Sequence, residues 1–132
     1  MTHEVAFLVR HRFKRAKTVY RDGLALLKEG SLESAVNRFY YAAFYAARAL
    51  LALKGLDSSK HSGVISLFNR CFVKPGFISK PVARALTRSY ERRLDSDYED
   101  FVAMTSSEVS QTAAEVQNFI SVCEQYFKAK SK

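Results

Sequence analysis

Cysteine, proline and glycine are all scarce in this chain of 132 residues, at two, two and five. Two thiols, Cys71 and Cys123, build no disulfide framework, and no Cys-x-x-Cys pair suggests zinc or redox work. Both lie in apolar helical patterns, where free cysteine behaves as a small hydrophobe. So little Pro and Gly excludes collagen-like, linker-like and disordered chains. Long apolar runs are missing too. Val5 to Val9 precedes a basic stretch, the reverse of a signal peptide, and no run approaches the roughly 18 residues of a membrane span. A cytoplasmic chain without a membrane partner is expected. Acid is in short supply: 13 Asp plus Glu stand against 21 Lys plus Arg, for a net charge of +8. A basic surface favours polyanions or acidic proteins without naming one.

What is present is helical periodicity. The length fits one domain, residues 1–132, with the last five residues expected to fray. Phe13, Ala16, Tyr20, Leu24 and Leu27 step by three or four, predicting a first helix from Val5 to Glu29 that tolerates Gly23 and stops at Gly30. Ser31 is placed to cap a second helix whose apolar face runs from Val36 through Phe39, Tyr40, Phe44 and Leu51, ending at Lys54-Gly55. Two long helices joined so tightly fold back as an antiparallel hairpin. A short third helix carries Val64, Ile65, Phe68, Cys71 and Phe72 inward, and Lys74-Pro75-Gly76 breaks it. A fourth begins near Ser79 with Pro81 in its first turn, burying Val82, Ala83, Leu86 and Tyr90. Asp95 to Asp100 is expected to be irregular at first, and a fifth helix spans Thr105 to Lys128. No β-run competes with these. The fold class is all-α, an up-and-down bundle of four long helices plus one short helix.

Several constellations could carry function. Arg38, Tyr41, Tyr45 and Arg48 share a stripe about 80° wide on the second helix. Such a stripe packs against a neighbouring helix, forms a protein interface or stacks on nucleic acid. Arg10, Lys14, Lys17 and Arg21 make a basic ridge on the first helix, either solvated or a docking surface for an RNA backbone or acidic partner. Arg84, Arg88 and Arg92 form a row on the fourth helix, followed by Arg93 and the acids Asp95, Asp97, Glu99 and Asp100. Opposite charges so close usually pair, and no glycine or histidine accompanies them to make a metal site. His61, at the head of the third helix, would cap it, orient a loop or hold a phosphate, with capping the simplest reading. No Ser–His–Asp, Cys–His or glycine-rich phosphate loop can be assembled.

Three blocks together resemble the short prokaryotic HEPN proteins: Arg38-Phe-Tyr-Tyr-Ala-Ala-Phe-Tyr-Ala-Ala-Arg-Ala-Leu-Leu51; Lys60-His-Ser-Gly-Val-Ile-Ser-Leu-Phe68 with Phe72-Val73; and Arg93-Leu-Asp-Ser-Asp97-Tyr98. The resemblance covers about residues 10 to 127. It implies a helical bundle that assembles as a homodimer and pairs with a minimal nucleotidyltransferase in a toxin–antitoxin-like module. Active HEPN toxins are metal-independent ribonucleases that need no cofactor. Their motif is an arginine, then four to six residues, then a histidine, near the start of the last long helix. This chain departs from it: after Arg93 stand Asp97 and Tyr98. Metal-free RNA cleavage needs a group that moves protons near neutral pH, and an exposed aspartate does so poorly. The expectation is therefore a partner protein binding RNA or a nucleotide. Arg93, Asp97 and Tyr98 would form its cleft, with Arg88, Arg92 and His61 beside them for phosphate. The alternatives are an active endoribonuclease, with Asp97 or His61 as proton carrier, and an oligomerising scaffold built on Tyr41 and Tyr45.

Overall fold

A computed structural model describes residues 1–98 and 104–131, the side chains of Asp97 and Tyr98 excepted. Five α-helices follow one another: α1 His3–Glu29, α2 Leu32–Leu53, α3 His61–Phe68, α4 Lys80–Tyr98 and α5 Ser106–Lys130. A π turn, Asn69–Val73, continues α3. The protein is all-α, a bundle of four long helices and one short one, with no strand among the described residues.

Local chemistry sets the helix ends. Thr2 caps α1 by accepting the Val5 N–H, and Gly30, at φ 82°, takes the left-handed conformation that ends it. Ser31 does occupy the position before α2, but its side chain makes no capping hydrogen bond. Thr105 caps α5 by accepting the Glu108 N–H at 3.1 Å. Three expectations need correction. Residues 95–98 are the last turn of α4 rather than irregular chain, while Glu99 and Asp100 lie outside the described residues. The last helix reaches Lys130 instead of fraying after 127, and the Ser131 hydroxyl donates to the Phe127 carbonyl at 2.9 Å. His61 does not cap α3: Lys60 holds the capping position, and the imidazole turns back toward α2.

α2 is the hub, packed against α1, α3, α4 and α5. Its alanines at 35, 42, 43, 46, 47 and 49 are fully buried, and small side chains there let neighbouring backbones approach. Gly23 has the same effect on α1, since a Cβ there would lie 2.6 Å from the Phe39 ring. The buried Tyr20 hydroxyl donates to the Ala113 carbonyl at 3.0 Å, tying α1 to α5. Cys123 is enclosed in this core and burial pushes its thiol pKa up, so it packs as a hydrophobe.

Candidate functional site

The head of α3 is placed by the connection before it. Asp57 accepts from Arg48 at 3.0 Å (Nε) and 2.6 Å (Nη2), and it also meets Arg12 at 3.4 Å. Arg12 in turn donates to the Arg48 carbonyl at 2.9 Å. The Arg48 hydrogen bonds hold the Asp57 carboxyl below the usual carboxylate range. Gly63 lets the following turn sit against Ser58, whose side chain a Cβ would overlap.

His61 thereby enters a nest of aromatic rings. Its Nδ1 is 2.5 Å from the Tyr40 hydroxyl. Phe44 stacks on the imidazole at 4.5 Å, Tyr90 lies parallel at 6.3 Å, and Tyr41 meets it edge-on at 5.7 Å. The Arg93 guanidinium sits over the rings of Tyr40 and Tyr41, at 5.4 and 5.3 Å. Burial first, and the Arg93 charge second, lower the His61 pKa from its ordinary 6.5. Burial also raises the Tyr40 phenol, which keeps its proton at any ordinary pH. A neutral imidazole can accept from that phenol at Nδ1 and carry its own proton on Nε2, or donate from Nδ1. Chemically, the cluster offers a guanidinium, a neutral imidazole and the half-buried rings of Tyr41 and Tyr90, laid over the buried Tyr40 and Phe44. That combination suits an anionic ligand carrying a flat ring.

The structure therefore joins His61 to Arg93 across three elements, a pairing that no spacing along the chain announced. It does not bring Arg88 and Arg92 into the cluster. Arg88 pairs with Glu115 at 2.8 Å, and Arg92 donates to the Glu108 carbonyl at 2.6 Å and the Thr112 hydroxyl at 2.7 Å, so both lean on α5. Asp97 and Tyr98 stand in the last turn of α4, with side chains outside the described residues. The stripe on α2 is half-buried within the chain and divided. Tyr41 joins the cluster with Arg38 over its ring at 5.4 Å, Tyr45 lies under Arg15 at 5.0 Å, and Arg48 clamps Asp57. The α1 ridge is exposed at all four positions; Lys17 is paired with Glu124 at 2.8 Å and Arg21 reaches Thr18. Tyr40, Phe44 and Tyr90 are the residues that sequence reasoning assigned only to the core. Tyrosine at 40 carried the one available signal, because a buried hydroxyl requires a hydrogen-bond partner. Among the described residues, no three His, Cys, Asp or Glu side chains gather as a metal site.

The HEPN domain model matches residues 9–126, and the chain belongs to that family. It is similar to a UPF0332 protein of Thermotoga maritima, 41% identical over 111 residues that cover 84% of each chain. The UPF0332 protein PH1297 of Pyrococcus horikoshii is 52% identical over 64 residues, 48% of this chain and 45% of the relative. A protein of Methanocaldococcus jannaschii named "Putative toxin MJ0605" is 47% identical over 64 residues, 48% of each chain.

Proposed function

We propose that the protein is the HEPN component of a toxin–antitoxin-like module. It forms a homodimer, docks a minimal nucleotidyltransferase, and uses the cluster around His61 and Arg93 to hold RNA or a nucleotide. The family match and the toxin name of the Methanocaldococcus relative support the module. The single observation that carries the ligand reading is the meeting of Arg93, His61 and three tyrosines at one place. Arginine holds phosphate through charge and planar hydrogen bonds, and the partly exposed rings of Tyr41 and Tyr90 provide surface for a base. Arg93 is followed by Asp97 and Tyr98 rather than by a histidine, which favours binding over turnover. The test is co-expression of the tagged chain with a minimal nucleotidyltransferase encoded beside it. Joint purification in a fixed ratio is expected, and separate elution under low and moderate salt would refute the partnership.

A second reading, a metal-independent endoribonuclease, is favoured by one observation. His61 is depressed below 6.5 and would be neutral at pH 7, ready to accept a proton beside a cation that could hold the scissile phosphate. Incubation with structured and unstructured RNA in EDTA separates the two readings. Cleavage lost on both Arg93→Ala and His61→Ala would establish the nuclease; intact RNA would leave the binding role alone.

A further inference from the structure

Between Ser58 and Tyr90 the chain carries six Lys or Arg residues and no Asp or Glu, six of the net eight charges in a quarter of the length. Elsewhere in the bundle carboxylates neutralise Arg12, Lys17, Arg48 and Lys128. In this segment only Arg88 forms an ion pair among the described residues, with Glu115. The others include Lys74, Lys80 and Arg84, all exposed, which line one groove of about 410 Å³ between the π turn and the first half of α4. Asn69 and Thr87 add neutral hydrogen-bonding groups to the walls, and Val73 and Ala83 add apolar surface.

We propose that this groove binds the phosphodiester backbone of a single nucleic-acid strand, through Lys74, Lys80 and Arg84. Charge complementarity selects a polyanion, because uncompensated cations converge on the groove and no acid lines it. Regularity selects a nucleic acid over an acidic protein. Lys80 and Arg84 follow at one turn of a helix, about 6 Å apart along its axis, a repeat suited to successive phosphates. Continuity selects a strand over a free nucleotide. The groove lies eight residues along α3 and its π turn from His61 and nine residues before Arg93 on α4, roughly 12–14 Å from the aromatic cluster at helical rise. Both segments thus lead from a cationic channel to stacked rings, the combination by which proteins hold single strands. The proposal rests on the ligand reading of the cluster only where the strand reaches His61.

Fluorescence anisotropy with labelled 12-nucleotide oligo-U and oligo-dT tests it, titrated at several salt concentrations. Both strands should bind, more weakly as salt rises; tighter binding of the RNA would identify the 2′-hydroxyl as part of the recognition. Lys74→Gln with Lys80→Gln and Arg84→Gln should weaken binding at least tenfold and flatten the log–log salt slope by about 2, near 0.7 per lost phosphate contact. Lys28→Gln with Lys54→Gln and Lys130→Gln removes equal charge elsewhere and should change affinity less than threefold. Should the groove triple fail to fold, Arg84→Gln alone should flatten the slope by about 0.7. Equal weakening by both triples, preference for polyglutamate, or no binding of either strand would overturn the proposal. If Arg93→Ala leaves affinity untouched while the groove variants lower it, the ligand role of the cluster fails and the groove stands.

Discussion

At the scale of single residues, His61 is the side chain whose surroundings differ most from what its position implied. Capping was the expectation because it opens a helix; the imidazole instead fills a ring-lined niche against Tyr40. Its lowered pKa sets a sign for the pH dependence of stability. Between 6.5 and the lowered value the folded protein binds fewer protons than the unfolded chain. The contribution of His61 is therefore complete above 6.5 and is lost as pH falls through that window. An NMR titration, with the resonance assigned through His61→Gln, should find the His61 midpoint below 6.5. Arg93→Gln should raise that midpoint, yet leave it under the unfolded value because burial is the larger cause. A midpoint unmoved by Arg93→Gln would mean that the guanidinium does not act on the imidazole. In the same experiment, imidazole nitrogen shifts report which ring nitrogen carries the proton, and Tyr40→Phe should change that balance.

At the scale of elements, the periodic pattern of apolar residues was enough to place five helices, since each long helix buries one broad stripe and leaves the rest in water. Ends were less legible. The Asp95–Tyr98 turn reads as acidic and irregular, yet it continues α4. Side chains meeting across elements were legible only in part: the family resemblance set His61 beside Arg93, but no spacing rule joins either to Tyr40 or Tyr90. Gly23 is instructive, because one sequence reads it only as tolerated, whereas the fold uses it as the notch into which Phe39 fits. Gly23→Ala should accordingly destabilise the bundle by roughly 1–3 kcal/mol through overpacking, against the gain of about 1 kcal/mol in helix propensity. Chemical denaturation measures this, and Phe39→Leu in the same background should recover part of the loss. A more stable Gly23→Ala protein would show that α1 and α2 do not need so close an approach.

At the scale of the whole molecule, the placing of charge is more informative than its total. Carboxylates on the connection to α3 and on α5 answer Arg12, Arg48, Lys17 and Arg88, whereas Lys74, Lys80 and Arg84 line one groove between the π turn and α4 that no carboxylate enters. The proposed homodimer is a statement at this scale too. Light scattering after gel filtration should give twice the 15.0 kDa chain mass, about 30 kDa. Tyr41→Glu with Tyr45→Glu should return a monomer if the α2 stripe forms the contact. Tyr45 alone offers a milder probe, since Tyr41 also faces His61 and Arg93.

The π turn has a consequence for how this chain tolerates change. Residues 64, 68 and 72 recur every four positions, so on a regular α-helix the stripe would drift about 40° at each step. The looser winding of Asn69–Val73 takes up that drift and keeps Phe72 beside Phe68, at 5.3 Å between rings. One residue is thus stored in the winding and contributes nothing to the length of the path. Deleting the exposed Arg70 should let the segment close into ordinary α-helix, with the helical circular-dichroism signal and the melting transition retained. Deleting Ala46 from the enclosed α2 should abolish both. Chain length and architecture are uncoupled at this joint, and there the chain can lose a residue without moving a helix.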